Sequence, residues 1–294
     1  MPPVAQTPDM AAPTHRRSGD TQPRAFVPGH VTGLFSVHPA ENPRKAGSRG
    51  AGIALSDGVT VDLAAAPETT VVLDGETVAM DAVARTLDEL GVHAAVEIES
   101  ELPVSAGFGV SGGAALGAAL AANQAFGLGR TENELVTTAH AAEVAAGTGL
   151  GDVVAQARGG VPLRREPGAS GHGTLDGITA PPTRIEYVSF GGRSTGEIIG
   201  GDVDELTRAG ERALTDLLDE PTLPRLFACS RAFAEGADLL TPPVERAIDA
   251  VLDVDGEAAM AMLGETVVAL GDGLTDAGYD PAVCDIDRAG ARLV

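Results

Sequence analysis

Hydrophobic positions change rhythm several times along this chain, and each change marks an element. Residues 1–22 have no apolar period and are rich in Pro, Ala, Thr and Asp, the composition of a disordered tail. Order begins at RAFVPGHVTGLFSV, an apolar run broken by Pro28 and Gly29. GIALSDGVTVDLAA alternates around Asp57-Gly58, and VVLDGETV repeats the pattern around Asp74-Gly75, so both read as hairpins. Residues 78–90 carry helical spacing, with Gly91 as the stop. HAAVEIESELPVS then reads as a strand running into SAGFGVSGGAALGAALA, where a glycine run meets an alanine-rich helix over residues 112–126.

A second helix starts at Thr131, whose TENE is a capping box, and runs through LVTTAHAAEVAAG to Gly147. GTGLGD is a loop, DVVAQA a short helical turn and GGVPLRR a strand. Residues 167–182 are Gly/Pro/Ser-rich, marking an exposed hairpin tip or a domain seam. A strand at TRIEYVSF follows, then helices near 202–219, 222–239 and 243–253, and a closing strand-helix-strand set. No internal repeat is visible. Mixed runs of strands and helices predict an α+β fold rather than a doubly wound sheet.

Composition narrows the classes. No apolar run reaches the roughly 20 residues of a membrane span, and the N-terminus lacks the apolar stretch of a signal peptide. Cys229 and Cys284 have neither CxxC nor zinc spacing, which points to a cytoplasmic protein with reduced thiols. Twenty basic against 42 acidic residues give a net charge of −22, and Lys45 is the only lysine. Such a surface repels nucleic acid and anionic lipid. The acids are dispersed, as on a halophilic surface, where concentrated salt shortens the Debye length to about 3 Å at 1 M.

The junction at Ser111 carries the first chemistry. A strand, a glycine run and a helix place bare N–H groups and the positive end of a helix dipole together, which makes an anion site. A tight glycine-alanine helix packed on a sheet is the alternative reading. No lysine follows the glycines, so the Walker A pattern is absent, and no βαβ unit with a following acid supports dinucleotide binding. His140 and Glu143 share one face of an otherwise apolar helix, and Asp152 follows the next glycine loop. Ser111 and Glu143 would supply oxygen ligands to magnesium on a phosphate chain. Asp152 would then be free to orient or deprotonate an acceptor hydroxyl.

VPGHVTGLF (27–35), LPVSAGFGVSGGAALG (102–117) and GTGLGDVVAQARGG (147–160) resemble the GHMP small-molecule kinases. KAGSRGAG (45–52), AHAAEV (139–144) and AMLGETVVALG (261–271) extend the likeness, which is greatest to the archaeal pantoate kinases. The resemblance implies a two-domain α+β fold: an N-terminal α/β domain with the phosphate loop over 23–182, and a C-terminal ferredoxin-like domain over 183–294. It implies ATP and Mg²⁺, with Pro103, Ser105, Gly107, Gly109, Ser111, Gly112, Gly113 and Ala114 on the nucleotide. Ser111 and Glu143 resemble the magnesium ligands, and Asp152 the catalytic aspartate.

Ser48, His140 and Arg164 correspond to residues on pantoate, which would be phosphorylated to 4-phosphopantoate for coenzyme A. Arg165, Arg158 and Arg49 rival Arg164 for the acceptor's carboxylate. A homodimer is the assembly the likeness suggests. Homoserine, shikimate or mevalonate as acceptor, or a non-catalytic ligand sensor, are the alternatives. Two departures stand out: His30 lies where many superfamily members carry a lysine, and the third motif is poor in glycine. His30 could partly substitute for that lysine if protonated, or be a strand-end histidine bonded to backbone.

Overall fold

Two long strands, β1 (Arg24–His38) and β2 (Gly47–Ala65), form the antiparallel spine of the larger sheet. The computed structural model describes residues 22–192, 203–262 and 264–294. The expected tail lies almost wholly outside them, as does the first residue of the helix expected from 202. The hairpin expected at Asp57-Gly58 is not formed. Pro28 pairs with Gly58 and Gly29 with Leu55, so the two intervening β2 residues bulge out and the strand continues. Alternation was correctly a strand signal there, but a bulge and a turn use the same residue types. At Asp74-Gly75 the turn is real: both residues have positive φ, at 50° and 83°, between β3 (Thr70–Leu73) and β4 (Glu76–Thr77).

Helix α1 (Asp81–Leu90) ends at Gly91, in the left-handed region, and leads to β5 (Ala94–Ser100). β5 pairs antiparallel with the second half of β2 and parallel with β3. The first half of β2 instead pairs with β6 (Val161–Glu166), which turns back into β7 (Thr174–Ile178). The Gly/Pro/Ser-rich stretch is therefore a hairpin arm of the same sheet.

Helix α2 (Val110–Phe126) is apolar all round because it is covered on every side, by β1 and β2 beneath and by α1 and α3 (Glu132–Ala146) beside it. A methyl at Gly113 would meet Val59 Cγ2 at 2.9 Å, and one at Gly117 would meet Val61 Cγ2 at 2.5 Å. These glycines let the helix axis approach the sheet. Thr131 and Glu134 form the expected capping box on α3, and α4 (Asp152–Arg158) follows the GTGLG loop.

The second sheet is antiparallel, in the order β11-β8-β10-β9. It is built from β8 (Arg184–Gly192), β9 (Ala258–Ala261), β10 (Gly264–Leu270) and β11 (Ala282–Asp285). Helices α5 (Val203–Asp219), α6 (Leu223–Gly236) and α7 (Pro242–Leu252) lie between β8 and β9, and α8 (Gly273–Asp276) between β10 and β11. Numbered within this unit, the strand order is 4-1-3-2, the ferredoxin-like arrangement. The closing set contains one strand more than expected before its helix. The chain then returns to the larger sheet, where β12 (Arg292–Leu293) pairs with β1. Helix α6 packs on both β1 and β9 and so joins the two sheets, with α5 beside it on β1 and β2. Gly210 of α5 lies so close to Phe35 that a methyl there would strike the Phe35 carbonyl oxygen.

Candidate active site

The glycine loop between β5 and α2 has left-handed φ at alternate residues: Ser105 at 62°, Gly107 at 91° and Gly109 at 67°. This alternation is the backbone pattern of an amide nest. Ser105 pays strain that glycine would not, a feature that clusters at functional sites. The Gly113 N–H already bonds to the Gly109 carbonyl. The amides of Val110, Ser111 and Gly112 precede that bond and are the orphan donors of the helix N-terminus. Pro103 and Ser105 are exposed, whereas Gly113 faces the sheet and Ala114 is fully buried.

Both flanking units brace this loop. The Thr266 hydroxyl donates to the Ala106 carbonyl at 2.9 Å, and the His30 N–H donates to the Phe108 carbonyl at 2.9 Å. A methyl at Gly264 would strike the Ala106 carbonyl oxygen, and one at Gly107 would come within 2.7 Å of the Met262 carbonyl oxygen. The sparse third motif thus keeps a glycine at the position where the small sheet touches the loop. Gln156 Nε2 donates to the Gly109 carbonyl at 3.0 Å from the opposite side.

Glu143 comes up against the same helix start. A methyl at Gly112 would lie 2.7 Å from its Oε1, and one at Gly149 would collide with it, so two glycines form the slot for this carboxylate. Ser111 Oγ donates to Thr148 Oγ1 at 3.2 Å, and the Thr148 hydroxyl donates to the Glu143 carbonyl at 3.5 Å. Glu143 is 1% exposed, and its Oε2 has no partner. Burial pushes its carboxyl well above the usual range, Asp152 adds to the rise, and the Val153 N–H and Arg164 oppose it. A buried carboxylate oxygen without a donor, beside a hydroxyl and an anion nest, fits a hard divalent cation. One carboxylate and one hydroxyl do not fill a magnesium shell, so phosphate oxygens and water would complete it.

Asp152, first residue of α4, stands across Gly109, where a methyl would lie 3.2 Å from its Cβ. Its Oδ1 is 2.7 Å from His30 Nδ1 and accepts from Thr32 Oγ1 at 3.4 Å. Burial alone would raise its pKa. The hydrogen bond from His30, the charge of Arg164 and the Thr32 bond together hold it below the usual carboxylate range. His30 is therefore bonded to a side chain rather than to backbone through its ring. Burial lowers its own pKa, with Asp152 opposing.

Ser48, His140 and Arg164 gather behind the GTGLG loop. A methyl at Gly151 would lie 2.7 Å from Arg164 Nε and 2.8 Å from Ser48 Oγ, and one at Gly47 would lie 3.5 Å from His140 Cε1. The Ser48 hydroxyl donates to the Leu150 carbonyl at 3.3 Å and Arg164 to the Gly151 carbonyl at 3.4 Å. His140 Nε2–H donates to the Ala46 carbonyl at 3.0 Å, which leaves Nδ1 as a bare acceptor, and burial lowers its pKa. Arg164 Nε is buried without a partner.

The rival arginines are engaged elsewhere. Arg49 pairs with Glu211 at 2.6 Å, Arg158 bonds the Gly159 carbonyl and packs over Gly177, and Arg165, half exposed, faces Asp176. Thr32, Thr148, Gln156 and Thr266 are the site residues that sequence reasoning missed. Each lies in or next to a motif, but a hydroxyl or amide says nothing of its partner until the chain is folded.

The fold and these residues define a small-molecule kinase. The profile of the GHMP kinases N terminal domain matches residues 77–160. The pantoate kinase of Thermococcus kodakarensis is 37% identical over 84% of this chain and 87% of its own length. That of Methanocaldococcus jannaschii is 32% identical over 89% and 99%. A solved phosphotransferase related to the CoA biosynthesis pathway superposes with a TM-score of 0.83 at 29% identity, covering 93% of this chain and 99% of that one. A homoserine kinase from Cytophaga hutchinsonii, at 17% identity and a TM-score of 0.68 over 96% and 100%, shares the fold. This chain belongs to the GHMP kinases and, among them, to the pantoate kinase family. Among the described residues no helix is long and apolar enough to cross a membrane.

Proposed function

We propose that this enzyme transfers the γ-phosphoryl group of ATP to the 4-hydroxyl of pantoate. The observation that carries the reading is the meeting of three features at one helix start: the amide nest, the unpartnered carboxylate oxygen of Glu143, and Asp152 held ionised. The nest and the α2 N-terminus bind the phosphate chain. Ser111 and Glu143 would hold magnesium, which when bound neutralises charge on the β- and γ-phosphates.

Arg164 takes the pantoate carboxylate through its fork. Ser48 and the bare Nδ1 of His140 orient the acceptor's hydroxyls. Arg164 bonds the Gly151 carbonyl through Nη1 only and keeps Nε–H free, and the Ser48 oxygen can still accept while its hydrogen goes to the Leu150 carbonyl. Asp152 aligns the 4-hydroxyl and receives its proton, so that most of the acceleration is positioning and electrostatics.

Residues 23–182 and 183–294 act as the two lobes, with Arg292–Leu293 returning to the sheet of the first, and the enzyme works as a homodimer in a cytoplasm of high salt. The test is ADP release across a panel of hydroxy acids, with and without magnesium, at low and high potassium chloride. Turnover of pantoate alone, dependent on magnesium, is the expected result. Equal turnover of homoserine or mevalonate would refute the acceptor assignment. Light scattering checks the dimer.

A further inference from the structure

The fold treats the two oxygens of Asp152 differently. Oδ1 meets His30 Nδ1 at 2.7 Å and accepts from Thr32 at 3.4 Å, whereas no side chain or amide among the described residues is bonded to Oδ2. The His30 side chain is 0% exposed, and its Nε2 has no partner. Its ring fits only because residue 52 is glycine: a methyl there would collide with Nε2 and lie 2.8 Å from Cε1. His30 is itself fixed to the phosphate loop by its backbone N–H, which donates to the Phe108 carbonyl.

We propose that His30 is a positioning residue: a neutral imidazole whose Nδ1–H pins Oδ1 of Asp152 and so reserves Oδ2 as the oxygen that takes the acceptor's proton. This deepens, and rests on, the kinase reading given above. The neutral form follows from geometry. A second ring proton would sit on Nε2, buried with no acceptor in reach, and an unpaired donor in such a place is costly.

An ammonium at this position would hold the carboxylate by full charge. The imidazole holds it by one short hydrogen bond, which directs it while withdrawing less of its basicity. In the transfer, the acceptor oxygen bonds to the γ-phosphorus, the bond to the bridging oxygen breaks with its electron pair leaving on ADP, and the hydroxyl proton passes to Oδ2. The protons of His30 do not move.

The test compares His30→Leu, which fills the slot without a donor, with His30→Asn, whose amide N–H stands close to the place of Nδ1. With pantoate as acceptor, His30→Leu should lower kcat by about 100-fold while ATP affinity and pantoate KM change less than about 3-fold. His30→Asn should recover kcat to within about 10-fold of the unmutated enzyme. Wild-type kcat in His30→Leu, or equal losses in both variants, would overturn the proposal.

Because a leucine in this slot could also disturb folding, the unmutated protein provides a second readout. Nitrogen-15 NMR of labelled histidines should place the His30 proton on Nδ1, with the His30→Asn spectrum identifying the signal. A proton on Nε2, or on both nitrogens, at pH 7.5 would overturn it as well. If the unmutated protein turned over no hydroxy acid, the kinase reading would fall instead, and the proton's position would still decide the His30 geometry.

Discussion

Thr266 ties the smaller sheet to the phosphate loop at Ala106: the hydroxyl on β10 donates to the loop carbonyl at 2.9 Å, and Gly264 leaves room for the approach. The phosphate loop is thus held by a strand more than 150 residues away in sequence. Thr266→Val keeps the shape and removes the donor. It should weaken ATP binding by about 5–10-fold, the size of one buried hydrogen bond, with a smaller effect on kcat. Calorimetric titration with a non-hydrolysable ATP analogue checks this, and unchanged affinity would remove the brace from the account.

Asp152 touches the reacting hydroxyl in the proposed mechanism and does not touch the nucleotide. Asp152→Asn should therefore bind ATP almost normally and lose about 10²–10⁴-fold in kcat, the range for removal of a positioned base. Single-turnover kinetics separate the two effects. A variant with wild-type turnover would exclude Asp152 from proton transfer.

Arg164 is the buried arginine whose Nε lacks a partner, and its rivals are paired or packed elsewhere. Arg164→Gln should raise pantoate KM by about 100-fold or more, as expected when a charged hydrogen-bonding partner is lost. It should also allow the Asp152 pKa to rise, since Arg164 is one of the groups holding it down. The acid limb of the kcat profile should then move to higher pH. The same substitution at Arg165, exposed and facing Asp176, should change neither quantity.

Glu143 is a stability liability in the metal-free protein. Its folded pKa lies above its unfolded one, so the folded state binds the proton more tightly, and stability declines as pH rises through the folded value. In EDTA, Glu143→Gln should melt at a higher temperature than the unmutated protein at pH 8, and the gap should close as pH falls toward 4.5. With magnesium and substrates, the same variant should lose nearly all turnover. A lower melting temperature at pH 8 would mean that the carboxylate is compensated by a group not identified in this site.

Much of this was legible from local signals. The left-handed stops at Gly91, Gly127 and Gly147, the capping box at Thr131 and the Asp74-Gly75 turn each depend on residues within a few positions of one another, and each formed. Asp57-Gly58 misled because a bulge and a turn draw on the same residues. Which one forms depends on whether the partner strand runs on past them, and β1 does.

By itself the sequence determined the glycine loop joined to a helix, the placement of Glu143 on one helix and Asp152 at the head of the next, and the acidic surface, because period, capping and charge are properties of neighbouring residues. Only the tertiary structure decided that Arg164 rather than Arg49, Arg158 or Arg165 faces the GTGLG loop, that His30 bonds Oδ1 of Asp152, and that Thr266 holds the phosphate loop. Those are contacts between residues 13, 122 and 160 positions apart. They depend on strand register and on where a glycine lets two backbones meet, and no local pattern encodes either.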